Sequence, residues 1–265
     1  MIAYRATLDV PHETLLQFTR WIIAHRRALG TRKGRRVCTP RAQAILVLRW
    51  FREDTAVRML AHDTHLPIST TYRYLHEGIT ILADQAPDLH EVLERGKAEG
   101  WSHISLDGTL IHTNRISAKK PETGHDAWYS GKHKCHGGNV QVLTDPQGFP
   151  VWTGPVEPGS THDITASRRH VLPALYPAAA AGLPTLTDKG YEGAGIGIHH
   201  PTKGPDLAPD NACRNALLIG LRALGERGNA ILKTRWTALS RIRVWPASMP
   251  SPLWKEMVTV GPRPA

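Results

Sequence analysis

Three acidic residues carry the chemistry of this sequence: Asp107 in His103-Ile-Ser-Leu-Asp-Gly-Thr-Leu-Ile-His112, Asp188 in Thr185-Leu-Thr-Asp-Lys-Gly-Tyr191, and Glu226 inside a strongly helical segment. A carboxylate in the middle of one strand, a second at the end of a later strand and a third on the following helix is how a two-metal phosphoryl-transfer site is assembled. Two divalent ions about 3.5–4 Å apart need bridging and flanking carboxylate oxygens, because magnesium prefers hard oxygen ligands. The expected cofactor is two ions of Mg2+ or Mn2+. In a chain of net charge +10 the expected substrate is nucleic acid.

The composition bounds what must hold those acids. With 265 residues, 41% of them hydrophobic, the chain can bury a full core, and one catalytic domain plus a smaller appendage is expected. The basic excess favours a polyanionic partner, since each neutralised phosphate releases counterions and makes binding salt-dependent. A generically basic surface is the plainer alternative. Cys38, Cys135 and Cys213 are odd in number and form no Cys-x-x-Cys pair, which argues against a disulfide scaffold and a cysteine-rich zinc site and fits a reducing, cytoplasmic setting. The N-terminus lacks a basic stretch followed by an apolar run, and no window reaches the ~18 continuous apolar residues of a membrane span, so neither export nor insertion is indicated.

Charge is unevenly spread along the chain. Between Thr14 and Arg52 there is no Asp or Glu, while Arg32, Lys33, Arg35 and Arg36 stand close together around Gly34. Such a block either contacts phosphates or serves as a solvated linker. Helices follow it. Thr39-Pro40 is a cap residue followed by proline at the first helical position, and Ala44, Ile45, Leu48 and Phe51 then share one face. A shorter helix is expected from about Asp54, stopping before Leu66-Pro67, and a third opens at Ser69. The three read as a helix-turn-helix, whose second helix enters the major groove with its early residues at base edges. Thr70, Thr71 and Arg73 are the candidates for groove contact, with Tyr72 and Leu75 assigned to the core. Another helix is expected from Ala83 to Gly100.

The periodicity then changes. Residues 103–113 read as a strand, and residues 138–145 and 148–153 as a hairpin around Asp145-Pro-Gln-Gly148. Gly159-Ser-Thr-His-Asp163 leads into a helix through about Leu172, followed by an apolar strand from Leu183 to Thr187 and a helix from about Asn215 to Leu239. The order β-β-β-α-β-α is ribonuclease H-like, and a later strand beside the first brings their carboxylates together. The fold class is thus α/β: a ribonuclease H-like mixed sheet flanked by helices, preceded by an all-α helix-turn-helix domain. The expected boundaries are residues 1–39 for a basic helix and linker, 40–100 for the helix-turn-helix, 101–241 for the catalytic domain and 242–265 for an irregular tail.

On these residues the stretch from about Pro40 to Leu239 resembles a DDE transposase of the bacterial insertion-sequence type related to the PIF/Harbinger group. The matching motifs are Leu106-Asp-Gly-Thr109, Gly159-Ser-Thr-His-Asp163, Thr187-Asp-Lys-Gly-Tyr191 and Arg222-x3-Glu226-x6-Lys233. The family's C-terminal signature also has a tyrosine three residues before the arginine, where this sequence has Ile219. The resemblance implies cleavage and rejoining of double-stranded DNA at the ends of a mobile element, in a nucleoid-associated bacterial protein that acts as a homodimer on DNA. It implies that Asp107 bridges both ions while Asp188 and Glu226 flank one each. Arg222 and Lys233 share the helix face of Glu226 and either hold a phosphate or form ordinary surface ion pairs.

Asp163 is the rival for the second ligand. It follows His162 at an expected helix start, where a carboxylate is a good cap. Asp188 is preferred because it ends a strand that lies beside the first. His125, His133, His136 and Cys135 lack a second ligand pair at zinc-finger spacing, whereas Lys132 and Lys134 among them suit a DNA track. Trp128 and Tyr129 either stack on an unpaired base or pack in the core. From Val244 onward, prolines at 246, 250, 252, 262 and 264 preclude the continuous helix that the resemblance leads one to expect, and a frameshifted reading frame would explain them.

Overall fold

The computed structural model describes residues 7–121 and 123–242. The expectation for the proline-rich tail lies outside the described residues. Five helices come first: α1 (His12–Ala28), α2 (Pro40–Glu53), α3 (Val57–Asp63), α4 (Ile68–Ala83) and α5 (Leu89–Ala98). Local chemistry sets their ends. The Thr39 side chain accepts from the Ala42 amide with Pro40 at the first position, and Asp54 stops α2 in the left-handed region at φ 51°. The helix expected over residues 83–100 starts later than the sequence implied. Pro87 interrupts the chain, and α5 begins at a capping box in which Asp88 accepts from the Glu91 amide while the Glu91 carboxylate accepts from the Asp88 amide.

The sheet follows, with β1 (Ile104–Thr113), β2 (Tyr129–Ser130), β3 (Cys135–Thr144), β4 (Pro150–Thr153) and β5 (Glu157–Pro158), then α6 (Asp163–His170) and α7 (Leu172–Ala180), then β6 (Thr185–Leu186) and β7 (Ile198–His199), the long α8 (Pro209–Arg235) and β8 (Arg241–Ile242). The central pair β1 and β3 is antiparallel, with Asp107 opposite Val142 and Gly108 opposite Gln141. β4 joins β3 antiparallel, while β6 runs parallel to β1 and β7 parallel to β6. The path β4-β3-β1-β6-β7, three antiparallel strands followed by two parallel ones, is the ribonuclease H-like order. The apolar strand after α7 is shorter than expected, with only Thr185 and Leu186 paired.

Two packed layers cover the sheet. On one face Ile111, Val140 and Val142 join Leu232 and Trp236 to the interior of α1–α4, among them Phe18, Leu48, Phe51 and Tyr74. On the other face Leu106, Leu143 and Trp152 pack with Val92, Leu93, Leu172 and Leu175 of α5 and α7. Arg52 ties the helical layer to the sheet by donating to the carbonyls of Thr234 and Arg235, the last turn of α8. No helix among the described residues is long and apolar enough to cross a membrane.

Candidate active site

The first acid sits where β1 has one free edge. On the side away from β3, β1 pairs with β6 only at Ile104 and Ser105 and with β8 only at His112 and Thr113. Asp107 lies in the gap, and β6 ends two residues before Asp188, so the parallel register carries Asp188 alongside Asp107. The Asp188 carboxylate accepts from the Gly190 amide at 2.8 Å, fixing the turn of Lys189–Tyr191. Asp163 approaches from the opposite face of the sheet, and it is a glycine that lets it in. A Cβ on Gly108 would stand 2.2 Å from Asp163 Oδ1.

Asp163 is not the cap expected of it. His162 is the residue preceding α6, no side chain caps that helix, and Asp163 is its first residue. Its Oδ1 instead accepts from Asn139 Nδ2 at 2.7 Å, and Lys132 Nζ stands 3.4 Å from Oδ2. A cap must fold back over its own helix, whereas this carboxylate is drawn toward β1 and β3.

Helix α8 supplies the other side of the site, and two glycines set how close it comes. A Cβ on Gly225 would meet Ser105 Cβ at 2.9 Å, and one on Gly228 would meet Thr144 Cγ2 at 2.5 Å. With those positions bare, Arg222, Glu226 and Asn229 line a narrow crevice with Ser105, Asp107 and Thr144. Asn229 donates to Asp107 Oδ2 at 2.7 Å. The sequence reading missed this residue. Its only signal was position, three after Glu226 and four before Lys233, on the same helical face. Glu226 itself stays at the rim, its side chain 65% exposed and 4.0 Å from Arg222, rather than reaching in beside Asp107 as expected. Lys233 donates to the Leu110 carbonyl at 3.0 Å, and burial lowers its pKa while Asp107 opposes that shift.

The electrostatics of the crevice are unbalanced. Burial pushes the Asp107 carboxyl up to about 6, Asp188 and Asp163 push it the same way, and Arg222 only partly offsets them. Burial also raises the Tyr191 hydroxyl well above its ordinary value, with Asp163, Asp107 and Asp188 all adding to the rise. Three carboxylates therefore share one neighbourhood. Among the described residues no three His, Cys, Asp or Glu side chains stand in a metal-ligating arrangement. The donor set nevertheless fits a hard divalent cation, because crowded carboxylate oxygens destabilise one another until a cation neutralises them. The buried Asn229 Oδ1, which has no hydrogen-bond partner, is a further hard oxygen beside Asp107.

Of the residues expected to contact DNA, Arg32, Lys33, Arg35, Arg73, Lys132 and Lys134 are exposed and Thr70 is half-buried. Two corrections concern α4. Thr71 is fully buried and donates to the Pro67 carbonyl, whereas Tyr72, assigned to the core, is 44% exposed. The face that α4 buries against α2 and α3 takes in Thr71, Tyr74, Leu75 and Gly78, and Tyr72 falls on the other side. Arg36 is held by Glu77 through two contacts of 2.9 Å, so its charge is already matched.

A ribonuclease H-like sheet with acids gathered at the free edge of its first strand defines a class of nucleic-acid phosphoryl-transfer domains. Residues 106–257 match the family model of the DDE superfamily endonucleases, more than half of the chain, and the protein belongs to that family. No curated protein sequence matches it. Among solved structures it is similar to the Mos1 transposase paired-end complex with left transposon end, at 12% identity over 82% of this chain and 74% of that one with a TM-score of 0.22. It is also similar to the Mos1 strand transfer complex, at 14% identity over 94% and 84% with a TM-score of 0.21. Scores this low leave the fold to be read from its own strand order.

Proposed function

We propose that this endonuclease-family chain is a DNA transposase, cutting the ends of a mobile element and joining them to a target in two phosphoryl transfers. The observation that carries this reading is the incompletely compensated gathering of Asp107, Asp188 and Asp163 at the free edge of β1, where Asp107 is pushed up to about 6, in a chain of net charge +10. In the first transfer water attacks phosphorus and the bond to the 3′-oxygen breaks. In the second that 3′-hydroxyl attacks a target phosphate, so one phosphodiester replaces another and no oxidant or reductant is consumed. Two Mg2+ or Mn2+ ions, when bound, would activate the nucleophile and stabilise the leaving oxygen.

The chain's own residues do the rest. Asp107 and Asp188 would hold the ions, with Asp163 beside them and Glu226 turning inward from the rim. Asn229 fixes the Asp107 carboxylate through its 2.7 Å hydrogen bond. Arg222 and Lys233 would neutralise the phosphate that crosses the crevice. Helices α3 and α4, separated by Thr64–Pro67, would form the helix-turn-helix, presenting Thr70, Tyr72 and Arg73 to the groove. Arg32, Lys33, Arg35, Lys132 and Lys134 would track phosphates, and a homodimer would hold two DNA ends.

The test incubates the protein with Mg2+ or Mn2+ and duplex DNA carrying the element's ends, beside Asp107→Ala. Metal-dependent cleavage at the ends that vanishes in the variant is expected. Binding without cleavage by the wild-type chain would support instead a transposase-derived DNA-binding protein, a reading that the outward Glu226 side chain favours. Cleavage without preference for ends would identify a general nuclease.

A further inference from the structure

A glutamine is an unexpected residue for the centre of a sheet, and Gln141 is 1% exposed in the middle of β3. Burying a primary amide is costly unless its oxygen and its amino group find partners. Gln141 finds them on its own strand and on two other elements. Its Oε1 accepts from Tyr191 OH at 2.7 Å and from Ser167 Oγ at 2.5 Å, and its Nε2 donates to Asn139 Oδ1 at 3.1 Å. Asn139 passes the connection on, donating to Asp163 Oδ1 at 2.7 Å and to the Thr161 carbonyl at 2.9 Å. Gln141, Asn139, Ser167 and Tyr191 are each at most 5% exposed.

The network joins two of the gathered acids to the strand opposite the third. Tyr191 closes the turn that begins at Asp188, Ser167 stands on α6 one turn beyond Asp163, and Gln141 is the cross-strand partner of Gly108, next to Asp107. The bare Gly108 is what makes room for it. A Cβ there would lie 3.0 Å from Gln141 Nε2 and 2.2 Å from Asp163 Oδ1. An apolar side chain at position 141 would fill the same space, but Asn139 Oδ1 would lose its donor, Tyr191 and Ser167 would lose their acceptor, and Asn139, anchored then through the Thr161 carbonyl alone, would hold Asp163 less firmly.

We infer that Gln141 is a positioning residue for the metal-binding acids: through Asn139 it fixes the rotamer of Asp163, and through Tyr191 it fixes the Asp188 turn, making Asp163 a working member of the ligand set. This inference rests on the metal-dependent reading above. Orientation by a buried partner is worth roughly 10–100-fold in metal affinity where such partners have been removed.

The experiment measures Mn2+ binding by electron paramagnetic resonance titration of the full chain, with thermal melting of each variant alongside. Wild type, Gln141→Leu, Asp163→Asn and the double variant form a cycle. Gln141→Leu is expected to weaken Mn2+ binding about tenfold or more, and to weaken it clearly less once Asp163 is Asn, the remainder being the part carried through Tyr191. Tyr191→Phe removes one donor while leaving the core filled, and is expected to weaken binding two- to fivefold, which keeps the inference testable if Gln141→Leu fails to fold. Unchanged affinity in folded Gln141→Leu or in Tyr191→Phe, or losses that simply multiply in the double variant, would overturn the inference while leaving the metal reading intact. Absence of Mn2+ binding by the wild-type chain would overturn both.

Discussion

Two buried polar clusters in this protein are built on opposite plans. In the helical layer Arg26 donates to Gln43 Oε1 at 2.7 Å and to the Cys38 carbonyl at 3.0 Å, and Gln43 donates to Glu77 at 2.9 Å. Arg36 grips the same Glu77 carboxylate, so cations and anion meet inside one set of hydrogen bonds. At the edge of β1 the reverse holds. Asp188 and Asp163 both disfavour the charged form of Asp107, with Arg222 as the partial offset. Both clusters are at least partly desolvated, yet only in the first does the carboxylate have a guanidinium in direct contact. A balanced cluster fastens helices together, whereas an unbalanced one costs stability and persists where a ligand of opposite charge completes it.

Replacing one member of each cluster separates the two plans. Asp107→Asn should abolish metal-dependent cleavage, a loss of a thousandfold or more in gel assays, while making the metal-free fold more stable at neutral pH. Because the folded pKa of about 6 lies above the ordinary 3.8, the folded state binds this proton more tightly. The group's contribution is therefore most favourable below pH 3.8, declines as pH rises through 6, and at pH 7 disfavours folding by about 3 kcal/mol. Denaturant melts at pH 4 and pH 7 check it, since a variant no more stable than wild type at pH 7 contradicts the unbalanced description. Glu77→Leu should do the opposite, leaving Arg36 without its anion and the Gln43 amide without one acceptor. A loss of about 3–5 kcal/mol in the same melts, with Mn2+ affinity unaltered in the folded fraction, is expected.

Smaller effects sharpen the contrast. Mn2+ at about a hundred times its dissociation constant should raise the melting temperature of the wild type by roughly 5–10 °C at pH 7.5. The shift should fade as pH falls through about 6, where the proton competes for Asp107, and should be absent in Asp107→Asn. Asn229→Ala should slow cleavage about tenfold through loss of one hydrogen bond to a charged acceptor, with the melting temperature little changed. A single-turnover rate equal to that of the wild type would remove Asn229 from the site. Least of all, Lys132→Ala and Lys134→Ala should each flatten the salt dependence of DNA binding by about one phosphate contact, read from the slope of log affinity against log salt.

Much of this was legible along the chain because it depends on near neighbours. Thr39-Pro40 starts a helix through its own amides, the spacing of Ala44, Leu48 and Phe51 marks the face that packs, and alternating strands in the order β-β-β-α-β-α give the sheet. The order of the acids in their motifs was equally local. What sequence spacing did not reveal was which side chains meet across elements. Thr71 and Tyr72 are adjacent and exchanged places, since the azimuth of α4 is set by what packs against it. Glu226 and Asn229 share a helical face, and the approach of α8 over Gly225 and Gly228 put the amide, not the carboxylate, against Asp107.

The sequence by itself determined the inventory: three acid motifs in order, a basic chain, and the helices and strands that carry them, because these follow from residue types and periodicities of two and 3.6. Only the tertiary structure decided the partnerships. The bare Cα of Gly108, the gap in the edge of β1 and the buried amide of Gln141 brought Asp163 to Asp107, residues more than fifty apart in sequence. Such contacts arise where sheet faces and helices pack, and no local pattern encodes a distance across that packing.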